Sequence, residues 1–123
     1  MREIIFRGKD TWGNWQYGIV QTYSEDFVVI ASALSFNKQV DPESVGQFTG
    51  LTDKNGTKIF EGDIVMFGFN PCVIKYDIDN ARFMLYVNGK HLQSGFNVDT
   101  MKQKEVIGNI TDNPELLEVK ANA

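Results

Sequence analysis

A chain of 123 residues holds one domain or two small β subdomains sharing a core. Its 42% hydrophobic content excludes an intrinsically disordered polypeptide, and its 12% aromatics, with Phe far ahead, favour strands, where such side chains pack on a pleated surface. The formal net charge of −4 and pI near 4.9 weigh against a surface built to neutralise phosphate backbones, while leaving room for a local basic patch.

Glu3 to Arg7 is short, apolar and bounded by Gly8, and reads as a first strand. Gly8-Lys9-Asp10 and Gly13-Asn14 are turn signals. From Trp15 to Thr22 the chain alternates, with Trp15, Tyr17, Ile19 and Gln21 on one face, so the spacing predicts a strand half-buried through that face. Trp12 and Trp15 flank the Gly13-Asn14 turn and are expected to pack over one end of the core. Phe27 to Ala33 reads as a buried strand. Gln39 to Val45 predicts a single helical turn, because Asp41 is a capping residue and Pro42 suits the first helical position. Gln47 to Leu51 resumes β character.

The run from Thr49 to Val65 is the most informative. Two β-prone flanks meet at Asp53-Lys54-Asn55-Gly56, and Asn-Gly is the strongest short hairpin signal because both residues tolerate positive φ. Thr57 to Phe60 is the return strand, and a turn at Glu61-Gly62-Asp63 opens the strand Ile64 to Phe69. Asn70-Pro71 is expected to break that strand, before further strands at Cys72 to Asp77 and Arg82 to Val87. Asn88-Gly89 repeats the hairpin signal. His91 to Lys104 shows neither period cleanly and reads as loop with at most one short strand or helical turn. Glu105 to Ile110 is a closing strand, and Asn113-Pro114 opens a last helical turn, expected to pack back through Leu116 and Leu117. Short, regularly spaced strands with no long amphipathic helix point to a mainly β fold, and the chain carries no convincing internal repeat.

Few residues offer chemistry. None of the glycines lies in a phosphate-binding run, and calcium-loop spacing fails from both Asp53 and Asp77. One Cys and one His are too few for a zinc centre without carboxylates, and no cofactor or metal ligand set is expected. A nucleophile would require Cys72 beside His91, with Asp99 as a third partner, but Cys72 opens no helix and reads as a small buried hydrophobe. Glu61 and Asp63 share a face two residues apart, and the structural reading outweighs an acid–base pair because they border the Gly62 turn. Asp53, Asn55, Gly56 and Gly62 are therefore read as structural turn residues. The one candidate binding surface is basic and aromatic, formed by Lys75, Tyr76, Arg82, Phe83 and Tyr86, although Asp77, Asp79 and Asp99 crowd it.

Met1-Arg2-Glu3-Ile4-Ile5-Phe6-Arg7-Gly8-Lys9, then Trp15-Gln16-Tyr17-Gly18, the run Val40 to Gly56, Ile59-Phe60-Glu61-Gly62-Asp63-Ile64-Val65, and the ending Glu105 to Ile110 with Asn113-Pro114-Glu115-Leu116-Leu117 together resemble the YopX family of phage and prophage proteins. The resemblance spans nearly the whole chain. It implies a mainly β protein with an SH3-like barrel in the C-terminal part, and it carries no catalytic residue.

The expected architecture is an N-terminal β subdomain over residues 1–48, an SH3-like β-barrel over 49–112, and a short C-terminal turn with a frayed tail over 113–123. No apolar run approaches the ~20 residues that cross a bilayer. The opening has an apolar run of only Ile4-Ile5-Phe6 and is not a signal peptide, and the single cysteine precludes an intrachain disulfide. The expectation is a cytoplasmic protein of the bacterial host. Its expected role is non-catalytic, an interaction or self-assembly module that is homo-oligomeric or bound to a protein partner. The alternative is a small β-barrel that binds nucleic acid, either single strands or RNA.

Overall fold

A computed structural model describes residues 3–32 and 37–118. The chain divides into two compact units, Met1–Gly50 and Leu51–Ala123. Both are built from antiparallel strands.

The first unit contains β1 (Phe6–Lys9), β2 (Trp15–Tyr23), β3 (Val28–Ala31), β4 (Lys38–Val40) and most of β5 (Gly46–Thr52), in the order β4-β3-β2-β1-β5. The free ends of β4 and β1 meet at one bridge, Asp10 to Val40, and the Asp41 N–H donates to the Lys9 carbonyl at 2.8 Å. Val28, Ile30 and Val40 form the core, with Val20 and Val45 packed against it. Gly8 lies inside β1 and not in a turn. A Cβ there would stand 2.6 Å from Val40 Cγ2, so glycine is what lets β1 approach β4.

One expectation for this unit holds within narrower bounds and two need correction. Only Pro42–Ser44 is helical, a 3-10 turn whose Asp41 cap accepts from the Glu43 N–H at 3.0 Å, and Lys38–Val40 before it is a strand. Of the predicted strand Phe27 to Ala33, Val28–Ala31 is β3, and Ala33 lies outside the described residues. The buried face of β2 is the opposite of the one predicted. Tyr17 and Ile19 are exposed, while Val20 packs on the core. Beside it, a Cβ at Gly18 would lie 2.0 Å from the Ala31 carbonyl oxygen of the neighbouring β3, so the two strands approach closely enough there to admit only glycine. A bulge between Val20 and Thr22 then shifts the register against β3.

The second unit begins within β5, whose last residues lead into a hairpin with β6 (Lys58–Phe60). A five-stranded sheet follows, from β7 (Asp63–Phe67), β8 (Asn70–Asp77), β9 (Arg82–Val87), β10 (Lys90–His91) and β11 (Gly108–Asn109), in the open order β10-β9-β8-β7-β11. A short helix, α1 (Val98–Met101), is capped by Asn97, whose side chain accepts from the Thr100 N–H at 2.9 Å. Ile59, Val65, Cys72, Ile74, Leu85 and Met101 are the core, with Leu51, Phe83, Val87, Leu92, Phe96 and Val106 around it. Pro71 does not break the sheet. It is the second residue of β8, opposite Met66, near the strand start where a missing N–H is tolerated.

The turns differ in kind. At Asn88-Gly89 both φ are positive, 51° and 80°, as a two-residue type I′ hairpin requires. At Asn55-Gly56 only Gly56 has positive φ, 79°. That geometry is a type I turn closed by a left-handed glycine, with the Gly56 N–H donating to the Asp53 carbonyl at 3.0 Å. Asp53 dictates it. Its Oδ1 accepts from the N–H groups of Asn55 (2.8 Å) and Thr57 (2.9 Å), and its Oδ2 accepts from the Val106 N–H at 3.0 Å. The Lys54 N–H adds a bond to the Lys104 carbonyl at 2.9 Å. The predicted strand Glu105 to Ile110 is therefore only two residues long, because the hairpin has claimed backbone groups at Lys104 and Val106.

The same hairpin closes the first unit. Asp10 Oδ1 accepts from the N–H groups of Trp12 and Asn14, both at 2.9 Å, and the Gly13 N–H donates to the Asp10 carbonyl at 3.1 Å. Here Oδ2 takes the Gln16 amide at 2.9 Å instead of a distant strand. At the Gly62 turn, where φ is 96°, buried Asp63 accepts from the Phe60 N–H at 2.7 Å. The last 3-10 turn, Pro114–Leu117, packs on β8 and sets Leu116 against Gly108, so that a Cβ at Gly108 would stand 2.9 Å from Leu116 Cδ1. Asn113 does not cap it; its side chain accepts from the Asn109 N–H at 3.2 Å.

Two outcomes follow. Burial pushes the Asp53 carboxyl up, but the N–H groups of Val106, Thr57 and Asn55, aided by the Lys54 charge, hold it below its ordinary 3.8. A depressed folded pKa stabilises the fold above the unfolded value, and that stability fades as pH falls through the folded one. Asp53→Ala is expected to cost about 2–4 kcal/mol at neutral pH, and less in acid, read by urea unfolding across pH. An unchanged midpoint at neutral pH would refute the brace. Gly18→Ala is expected to destabilise the first unit by about 3 kcal/mol, since it drives a methyl into backbone, and tryptophan fluorescence during unfolding reports it.

Candidate functional site

The alternation of β8 and β9 sorts the candidate binding residues onto two faces. Residues directly opposite share a face, and the register pairs Val73 with Tyr86, Lys75 with Met84, and Asp77 with Arg82. Lys75, Arg82 and Tyr86 therefore stand together on one face. Tyr76 and Phe83 are paired on the other, edge to face at 5.4 Å, alongside the core.

The Lys75 face holds a concave site. A groove of about 220 Å³ is lined by Pro71, Val73, Lys75, Tyr86, Asn88, Gly89 and Leu117. Val73 gives an apolar floor, the Asn88-Gly89 hairpin one wall, and Leu117 of the last 3-10 turn another. The Lys75 ammonium lies 5.9 Å from the centre of the Tyr86 ring. Tyr86 meets His91 edge to face at 6.1 Å. Burial, then the hydrogen bond to Asp77 and the charges of Asp77 and Asp79, push the Tyr86 hydroxyl up from its ordinary pKa. The Asp77 carboxyl is held low, first by the Asn80 amide and then, against a desolvation effect, by the Tyr86 hydroxyl and the His91 charge. Arg82 is already engaged, donating to the Gln93 carbonyl at 2.8 Å.

Residues weighed for catalysis are separated or engaged. Cys72 is buried in the core face of β8, where burial pushes its thiol up. His91 is exposed and lies beside Tyr86, on the opposite face of the sheet. Asp99 sits in the first turn of α1. Asp63 is buried against the Phe60 N–H, and Glu61 accepts from the Tyr76 N–H at 3.4 Å. Among the described residues no three His, Cys, Asp or Glu side chains are grouped to hold a metal ion, and no helix is long and apolar enough to cross a membrane.

A second basic and aromatic face lies in the first unit. The β1–β2 register sets Arg7 opposite Tyr17 and Lys9 opposite Trp15. The Arg7 guanidinium lies 4.7 Å from the Trp15 ring centre and the Lys9 ammonium 5.8 Å. Period-2 alternation in Arg7–Lys9 and Trp15–Tyr17 was the available signal, and it was hidden by the assignment of this face of β2 to the core. Trp12 does not cover a core end; it is exposed at the β1–β2 tip, with the Lys38 ammonium 5.6 Å from its ring.

A thiol reagent such as Ellman's is expected to leave Cys72 unlabelled in the folded protein at mildly alkaline pH and to label it fully in guanidinium chloride. Rapid labelling of the folded chain would contradict the burial.

No curated protein matches this chain. Among solved structures, the crystal structure of protein EF1440 from Enterococcus faecalis is similar at 25% identity and a TM-score of 0.62, covering 95% of this chain and 99% of that one. The family model described as YopX protein matches residues 7–118, which takes in both hairpin aspartates, the groove and the last 3-10 turn, and the chain belongs to the YopX family.

Proposed function

We propose that the protein is a non-catalytic interaction module that binds a protein partner or further copies of itself. One observation carries this reading: large apolar side chains stand at hairpin ends instead of in a core. Phe69 is 89% exposed at the β7–β8 tip, Ile78 82% at the β8–β9 tip and Trp12 76% at the β1–β2 tip. A hairpin tip needs no aromatic or isoleucine for its own geometry, since turns favour Gly, Asn, Asp and Pro. Aromatic and isoleucine side chains held out at such tips offer a partner anchor points to bury. Membership of the YopX family supports an origin in phage or prophage genes and a place in the cytoplasm of the bacterial host. The short antiparallel strands and tight hairpins of the second unit support describing it as SH3-like.

A specific observation favours a second reading, a single-stranded nucleic-acid binder. The Arg7, Lys9, Trp15 and Tyr17 face sets cations beside aromatic rings, the pairing that single-strand sites use, although Arg7 itself is buried. The acidic balance of the chain opposes it.

Light scattering and affinity capture separate these readings. The double variant Phe69→Ser with Ile78→Ser is expected to keep the wild-type unfolding midpoint and to weaken association on the order of tenfold or more. A wild type that stays monomeric at high concentration and captures no partner would overturn the module. Salt-dependent quenching of tryptophan fluorescence by a short oligothymidylate would favour the second reading.

A further inference from the structure

We propose that the groove between β8, β9 and the last 3-10 turn is a docking site for an acidic peptide segment of a partner protein. It takes one apolar side chain against Val73, Tyr86 and Leu117, and the adjacent carboxylate on Lys75. This inference rests on the interaction-module reading and names the chemistry of the partner.

Size and charge select the occupant. At about 220 Å³ the groove is smaller than the ~300–1,000 Å³ of small-molecule and cofactor sites, and it suits a single side chain. Its lining is amphipathic: Pro71, Val73 and Leu117 are apolar, Tyr86 is an aromatic wall, and Asn88 and Lys75 are polar. The charge is left unneutralised from within. The carboxylate two residues along the same face, Asp77, accepts from the Asn80 amide and makes no ion pair with Lys75. No described carboxylate forms an ion pair with Lys75, whose ammonium is left with the Tyr86 ring. A cation held over an aromatic ring at the rim of an apolar hollow complements a carboxylate next to an apolar group. A nucleic-acid strand fits this face less well, because its run of phosphates would bring several charges against Asp77 and Asp79, whereas a single carboxylate seated on Lys75 brings one.

The test uses the whole chain, isotopically labelled, with N-acetyl-L-phenylalanine as probe and N-acetyl-L-phenylalaninamide as its uncharged counterpart. The carboxylate is expected to shift the amide resonances of Val73, Lys75, Tyr86 and Gly89 saturably. It is expected to bind on the order of tenfold more tightly than the amide, as one charge-assisted contact gives. Lys75→Gln, a change at an exposed position, is expected to bring both probes to the same weak level. Leu117→Ser is expected to weaken both alike, with the carboxylate preference retained. Equal binding of the two probes, shifts mapping elsewhere, no shift at all, or a carboxylate preference that survives Lys75→Gln would each overturn the proposal. So would displacement of the carboxylate probe from these amides by a short oligothymidylate, which would assign the face to nucleic acid. Failure here with association intact in light scattering would remove the groove and leave the interaction module standing.

Discussion

Both units depend on an aspartate carboxylate that has left water and holds a hairpin closed by capturing its backbone N–H groups. In Asp10-Thr11-Trp12-Gly13-Asn14 and in Asp53-Lys54-Asn55-Gly56-Thr57 the bonds correspond atom for atom: Oδ1 takes the second and fourth N–H groups along, and the Asp carbonyl takes the glycine N–H. The glycine has positive φ in both, 83° and 79°. Burying a carboxylate is costly unless its oxygens are satisfied, and here the turn itself supplies the donors. The remaining oxygen distinguishes the units. Asp10 spends it locally on Gln16, whereas Asp53 reaches Val106, so one hairpin is self-contained and the other staples a distant segment.

That staple explains the shape of the C-terminal segment. A strand from Glu105 to Ile110 would need its backbone groups for a ladder. Asp53 and Lys54 take those at Val106 and Lys104, and Gly62 takes the Ile110 N–H at 2.9 Å, which leaves two residues to pair with β7. The segment then reaches the last 3-10 turn, where Leu116 lies on Gly108 and Leu117 completes the groove. One wall of the candidate site is thus positioned by the end of a segment that a carboxylate pins at its start.

Much of this fold was legible in the sequence. The strand Arg82 to Val87, the Asn88-Gly89 reversal and the Asp41-Pro42 helical turn stand where local pattern placed them, because each rests on chemistry within a few residues. The errors arise where a long-range contact decides. The inward face of β2 is the one bearing Gly18 and Val20, and packing of Val20 on Val28, Ile30 and Val40 decides it over the bulkier Tyr17 and Ile19, which alternation of apolar side chains cannot reveal. Asn113 reads as a cap, yet its side chain is drawn back to Asn109. The hairpin at Asn55-Gly56 was plain, but its turn type follows from the buried Asp53 carboxylate and not from the dipeptide. The five candidate surface residues were close in sequence, and the pleat sent Tyr76 and Phe83 to the face opposite Lys75, Arg82 and Tyr86.

The most recognisable residues of the chain are also those with the least left to offer a ligand. Asp53 and Asp63 are buried on backbone donors, Glu61 holds the Tyr76 N–H, Gly56 and Gly62 are held by positive φ, and Cys72 is inside the core. A group whose hydrogen-bonding capacity is consumed by the fold gains little from a partner. A partner of the kind proposed would meet side chains that the fold does not use. In the second unit these are the apolar tips at Phe69 and Ile78 and the Lys75 ammonium, whose neighbouring carboxylate Asp77 is taken up by Asn80. The Asn80 amide that steadies the β8–β9 turn takes up the carboxylate nearest along that face, and the Lys75 ammonium stands over the Tyr86 ring at the edge of an apolar hollow.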